Sequence, residues 1–209
     1  MHTAQQRHIF NLAIVHLLFR GGEAQVRLVE SPDTSAKRYR ALSHCRGAYQ
    51  PLCTNKENYE AHKQSILFRD LPKPFQDAVT VTKHLGVEYL WIDSLCIIQN
   101  SAEDWERECS RMASIYAGAL VTIAAPGATD SSKGFLHDYF PTKYGSFELP
   151  YNNKDEHSII PTTMEYSSWR RQNIIYGSHS RLFTRGWVLQ ERLHSERTLS
   201  FRTRRLVWE

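Results

Sequence analysis

Apolar and polar residues change their spacing several times along the chain, and each change predicts an element. The clearest stretch runs from Glu88 to Ala119. Its first part, Tyr89-Leu-Trp-Ile-Asp93, is short, aromatic and apolar, which suits a buried strand ending at the acid. Ser101 then opens a Ser-x-x-Asp capping pattern, and Glu103, Asp104 and Glu106 stand where the positive end of a helix favours them. Trp105, Cys109, Met112, Tyr116 and Ala119 recur at steps of three and four, giving one apolar face to a helix from Asp104 to Gly118. A strand, a polar strand end and a capped helix form the unit of an open α/β sheet, which binds ligands beyond the carboxyl ends of its strands.

The same reading extends to both sides. Residues 1–20 read as an amphipathic helix ended by Gly21-Gly22, and Ala24 to Glu30 alternates as a strand. After a turn-rich loop from Ser31 to Lys37, Tyr39 to His44 reads as a second strand running into Cys45-Arg46-Gly47. A polar connector from Pro51 to Leu71 holds a short helix over Asn58–Phe68. Pro74 suits the first turn of a helix with Phe75, Ala78, Val79, Thr82 and Leu85 on its inner face and Gly86 at its end. Leu120 to Ala125 is a strand, so strand–helix–strand–helix–strand predicts parallel crossovers. Pro126 to Ser180 is rich in turn residues, and Ser146–Leu149 with Ser158–Ile160 are candidates for a small antiparallel addition. A loop from Leu182 enters a short helix ending near His194, and strands follow at Thr198–Phe201 and Leu206–Trp208. The expected organisation is an N-terminal helical segment, 1–22, then one domain over 23–209 with 126–180 as an irregular insertion.

Composition narrows the functional classes. The 209 residues are 41% hydrophobic and 23% charged, enough for one domain with a sizeable core. The formal charge is +4, and basic residues cluster only at Arg170–Arg171 and Arg202–Arg205, which reads as solvated surface or a phosphate preference rather than a nucleic-acid footprint. Cys45, Cys53, Cys96 and Cys109 include no C-x-x-C and read as reduced thiols of an intracellular protein. His44, Cys45 and Cys53 match no usual zinc spacing, so no metal is expected. Ile9 to Phe19 is apolar but interrupted by Asn11 and His16, and too short to span a bilayer. The expectation is a soluble, cytoplasmic protein that does not span a membrane and does not bind nucleic acid.

Candidate chemistry gathers at the second strand's end. Ser43, His44 and Arg46 bring a hydroxyl, an imidazole and a guanidinium together, and Gly47 lets backbone approach a ligand closely. Arg46 suits a diphosphate, because its fork donates two hydrogen bonds at once. The competing reading is a loop whose polar groups satisfy one another. There is no G-x-S-x-G, P-loop or H-E-x-x-H to support a conventional hydrolase.

Several motifs together resemble one family. Tyr39-Arg-Ala-Leu-Ser-His-Cys, Leu71-Pro-x-x-Phe-x-Asp77-Ala, Leu90-Trp-Ile-Asp-Ser-Leu-Cys-Ile-Ile-Gln99, Asp104-Trp105, Met112-x-x-Ile-Tyr116 and Arg185-Gly-Trp-x-x-Gln-Glu191 are similar to the fungal heterokaryon incompatibility (HET) domain, from about Val26 to Glu209. The resemblance implies non-self recognition and programmed cell death, with an upstream sensor and self-association as expected partnerships. That family in turn resembles the Toll/interleukin receptor-type (TIR) domain, which implies a flavodoxin-like, mostly parallel sheet flanked by helices and, in some members, hydrolysis of NAD. The TIR catalytic glutamate follows a tryptophan by four residues on a helix, and Trp187-Val-Leu-Gln-Glu191 repeats that step. The resemblance therefore assigns the catalytic role to Glu191 alone, with NAD as substrate rather than cofactor; the strand ends at Ser43, His44, Arg46, Gly47 and Asp93, expected to line the same crevice, and Trp187, suited to stack on a ring, are read as the substrate-binding residues. Glu108, three after Trp105, is the competing acid. One carboxylate suffices for such chemistry: nicotinamide leaves as a neutral ring, and a fixed anion steadies the oxocarbenium-like ribose. The alternatives are a Glu191 that locks its helix against Arg185 or Arg192, and a non-catalytic module acting by self-association. The family usually carries Trp at the position of Arg46 and Leu at that of His194; if that Trp shapes the pocket, Arg46 lowers activity or alters the ligand, and if it only packs, Arg46 is a neutral surface change.

Overall fold

In the computed structural model the described residues are 12–20, 23–31, 38–45, 52–126, 128, 134–136, 147–148, 161–162, 182, 186–202 and 205–209. The first apolar run folds as a strand, which corrects the helical expectation for the N-terminal segment. β1 (Leu12–Arg20) pairs antiparallel with β2 (Glu23–Ser31) from Leu12↔Ser31 to Arg20↔Glu23. Ile14 and Val15 are adjacent, β-branched and both fully buried, so β1 is covered on both faces and has no solvent side for a helix stripe to spare. Two extended runs separated by Gly-Gly are also a hairpin signal, and here that signal prevails over the helix-stop reading. A boundary at residue 22 would cut this hairpin. Residues 1–11 lie outside the described residues.

β3 (Tyr39–Ser43) is buried throughout. Helix α1 (Tyr59–Gln64) is shorter than expected, because Ile66 and Leu67 leave it to form β4 (Ile66–Leu67) against Val26 and Gln25 of β2. Then come α2 (Lys73–His84), β5 (Tyr89–Trp91), the single turn α3 (Asp93–Cys96), α4 (Ala102–Gly118) and β6 (Thr122–Ala124). The Ser101 side chain accepts from the Asp104 amide, as the capping pattern predicts. Gly86, after α2, takes φ +69°, where a side chain would be strained. In the irregular region β7 (Phe147–Glu148) pairs antiparallel with β8 (Pro161–Thr162), a little beyond the expected second piece. Helix α5 (Gly186–His194) leads to β9 (Thr198–Arg202) and β10 (Arg205–Trp208).

The main sheet has the order β10-β9-β6-β3-β5-β1-β2-β4. Its centre is parallel, β5 with β3, β3 with β6 and β6 with β9. Both flanks are antiparallel: β1 with β5 and β2, β2 with β4, β9 with β10. The fold is therefore mixed α/β rather than mostly parallel. Strands joined through helices can run parallel, whereas the β1–β2 and β9–β10 hairpins can only return antiparallel.

Successive residues of β3 face opposite helices. Tyr39 donates its hydroxyl to the Ile115 carbonyl of α4 at 2.6 Å, while Arg40 donates to the Thr82 and Leu85 carbonyls at the end of α2 at 3.4 and 3.1 Å. Gly118 permits the first contact, since a Cβ there would stand 2.8 Å from the Tyr39 oxygen. Trp91 of β5 meets Tyr116 of α4 edge to face at 5.6 Å. Helix α4 departs from the expected face at its start. Trp105 is exposed, and Asp104 and Glu108 turn inward with their arginine partners.

Candidate functional site

The parallel order β5-β3-β6-β9 sets the site. The chain steps from β3 to β5 in one direction, then from β5 past β3 to β6 and β9 in the other. Such a reversal opens a crevice beyond the carboxyl ends of the two strands at the switch, here β3 and β6. Ser43 ends β3 and pairs with Ala124 at the end of β6, and Ala124 pairs with Ser200 of β9. In register on parallel strands, these three residues form one row facing the same side of the sheet.

Helix α5 brings Glu191 to that row. The Ser195 hydroxyl donates to the Glu191 carbonyl at 2.6 Å, which leaves the Thr122 hydroxyl as donor in its 2.7 Å contact with Ser195. Thr122 and Ala124 share a face of β6, so this contact pins the foot of α5 to the face on which the row lies. Four helical residues back from Ser195 rise about 6 Å. Two strand residues on from Thr122 rise about 6.6 Å. Glu191 thus comes level with Ser43, Ala124 and Ser200. Glu191 is 5% exposed, and its carboxylate accepts a hydrogen bond from the Ser43 hydroxyl.

The other expected site residues stand differently. His44 alternates away from Ser43 and meets Phe75 of α2 edge-on, with ring centres 5.0 Å apart. Its Nδ1 lies 3.9 Å from Oδ1 of Asp93. Asp93 opens α3, and the same oxygen accepts the Ser94 amide at 2.7 Å. The expected residues therefore fall into two pairs, Ser43 with Glu191 and His44 with Asp93, on the α5 and α2 sides of the strand ends. Arg46 and Gly47 lie outside the described residues. Trp187 belongs to the first turn of α5, and its side chain lies outside the described set.

The competing acid is held quite differently. Glu108 of α4 is 2% exposed, and its Oε1 accepts from Arg107 at 3.0 Å and Arg111 at 3.2 Å. Burial nonetheless pushes its carboxyl above the usual range, the two guanidinium groups opposing that shift. Asp77, a third buried acid, accepts the amides of Phe135 and Leu136 at 2.7 and 3.0 Å and pairs with Lys73 at 3.1 Å. A Cβ on Gly134 would collide with the Asp77 oxygen that accepts the two amides, so the glycine lets the chain pass over this acid. All four cysteines are free. Among the described residues no group of three or more His, Cys, Asp or Glu is placed to hold a metal, and no helix is long and apolar enough to cross a membrane.

Residues 39–191 match the family described as Heterokaryon incompatibility protein (HET), over more than half of the chain. The chain belongs to the HET family. The HET span opens on the first residue of β3 and closes on Glu191, so both partners of the Ser43–Glu191 bond lie inside it. β1 and β2 precede it, and β9 and β10 follow it. The HET family is associated with fungal non-self recognition and cell death. No curated protein and no solved structure matches the chain.

Sequence reasoning missed Ser200 in this neighbourhood. Its side chain is 1% exposed, and its hydroxyl has no hydrogen-bond partner among the described residues. The only signal was alternation in Thr198-Leu-Ser-Phe201, which puts Thr198 and Ser200 on one face but does not say what lies above it.

Proposed function

We propose that this HET domain is a cell-death effector that hydrolyses NAD at the nicotinamide–ribose bond, with Glu191 as its catalytic carboxylate. The observation that carries the reading is the buried Glu191 carboxylate held by the Ser43 hydroxyl at the end of β3. The parallel order β5-β3-β6-β9 supports a flavodoxin-like, TIR-like core, since it matches the first four strands of the order 2-1-3-4-5.

In this mechanism Ser43 orients the carboxylate, and burial strengthens its field on the ribose. A carboxylate offers about four acceptor positions, so it accepts a ribose hydroxyl beside the groups that already hold it. As the C–N bond to nicotinamide breaks, its electron pair goes to the ring, which departs neutral. The positive charge left on the ribose is steadied by Glu191, and water adds to that carbon, releasing a proton and ADP-ribose. His44 and Asp93, with Arg46 and Gly47 following, are the groups assigned to the remainder of the nucleotide.

The test is nicotinamide release from NAD by purified protein, dilute and at concentrations that force association, beside Glu191→Gln. Loss of release in a variant with unchanged melting supports the reading. Release that persists removes Glu191 from the reaction.

A second reading is a non-catalytic module acting by self-association. It is favoured by exposed apolar side chains near the carboxyl end of the chain: Leu189 and Leu193 on one side of α5, 63% and 71% exposed, and Leu206 and Trp208 on edge strand β10. Light scattering of wild type beside Leu189→Glu/Leu193→Glu, with no nicotinamide release at any concentration, distinguishes it.

A further inference from the structure

The Ser43–Ala124–Ser200 row holds one hydroxyl that the proposed mechanism does not use. Ser43 is committed to Glu191. Ser200, at the other end of the row, is almost fully buried with no partner for its oxygen among the described residues. Buried hydroxyls are nearly always hydrogen-bonded, because leaving one unmatched is destabilising. Between the two serines stands Ala124, which is itself buried and offers the row only a methyl group. The two flanking Cα atoms are about 10 Å apart, twice the strand spacing. Helix α5 is tied to β6 through Thr122 and Ser195, while the Glu191 carboxylate reaches Ser43 on β3.

We propose that Ser200 is a substrate-binding residue of the same site, and that the group it recognises is the second hydroxyl of a ribose whose first hydroxyl donates to Glu191. The inference rests on the proposed reading of Glu191 and deepens it, naming the substrate class as a nucleotide with an intact ribose diol. The chemistry fits the pair. A carboxylate only accepts, so it takes one sugar O–H. A serine hydroxyl both donates and accepts, so it can answer a neighbouring hydroxyl whichever way that group points. Neighbouring hydroxyls on one sugar edge would thus be read by two unlike groups over an alanine floor. A deoxyribose would leave one buried protein group unmatched, which is how sites built to bind a hydroxyl reject analogues that lack it.

Three measurements on Ser200→Ala test this, with Ser200→Cys as a variant of nearly native volume. Without ligand, Ser200→Ala melts at or above the wild-type temperature, because it removes an unmatched hydroxyl. KM for NAD rises about three- to tenfold, the worth of one neutral hydrogen bond, while kcat moves less. The preference for NAD over an analogue lacking one hydroxyl of the nicotinamide-side ribose narrows by a similar factor. An unchanged KM and preference overturn the proposal. So does a ligand-free variant that melts well below wild type or fails to fold, which would make the hydroxyl a structural group. If wild type releases no nicotinamide, the enzymatic reading fails on its own, and calorimetry with ADP-ribose decides the Ser200 inference. Binding weakened in Ser200→Ala and in Ser200→Cys supports it; equal binding, or none to wild type, overturns it.

Discussion

Helices α4 and α5 each bury a glutamate a short step after a tryptophan, yet the two regions use burial in opposite ways. In α4, Glu108 lies between Arg107 and Arg111 and one turn on from Asp104, which pairs with the same Arg107. That cluster sits at the start of the helix and stitches it together. In α5, Glu191 is held across the sheet by a hydroxyl 148 residues away in the chain. The first acid is engaged by cations on its own helix. The second is placed at a strand end on the switch of the sheet. Burial alone therefore does not distinguish the two acids; a cation on the same helix and a hydroxyl at a strand end across the sheet do.

The sharpest way to break this contrast is to neutralise each acid in turn. Glu191→Gln is expected to lower nicotinamide release about 100-fold or more, the scale of losing one transition-state electrostatic contact. Its melting temperature should stay close to that of wild type. Glu108→Gln should leave release within about twofold, since an electrostatic contact remote from the reacting sugar contributes little. A reversed result would move the site to α4. Next in size is Ser43→Ala. It removes a donor to a buried carboxylate, and chemical denaturation should register a loss of about 1.5–3 kcal/mol together with weaker release. Glu108→Ala comes third, with about 1–3 kcal/mol lost from stability as the arginines lose their acceptor, and no change in release per folded molecule. The smallest effect is on pH dependence. Because the folded-state pKa of Glu108 is raised, the native protein holds its proton more tightly than the unfolded chain. Stability contributed by this group is thus full below the ordinary carboxylate value and declines as pH rises through the raised one. His62, whose pKa burial lowers, acts in the other sense, losing stability as pH falls below its ordinary value. Unfolding titrations of wild type against Glu108→Gln isolate the first slope, and against His62→Gln the second.

Local features were legible where local physics decides them. The α4 cap at Ser101, the glycine after α2 and the strand ending at Ser43 follow from capping, turn conformation and apolar runs. β1 was misread because a run with Ile14, Val15 and Leu17 suits either a buried helix or a strand covered on both faces; the two-residue Gly-Gly separation was the better guide. Spacing alone turns Trp105 inward, but salt-bridged Asp104 and Glu108 take that side at the start of α4. Glu191 was reached through family resemblance, and Ser43 through its place at a strand end. Their contact was not legible, because it depends on β6 inserting beside β3 and on α5 being pinned by Thr122, neither of which is written in nearby residues. Ser200 escaped for the same reason: a serine in an alternating strand gains meaning only from its row.

The span of chain that separates Ser43 from Glu191 has a temporal side. On a ribosome, the β3 serine is made long before the helix that supplies its carboxylate partner. Until α5 has emerged and been clamped through Ser195, the two halves cannot meet, so an unfinished polypeptide holds no assembled acid–hydroxyl pair. The pair is thus a property of the finished fold and of no segment of it.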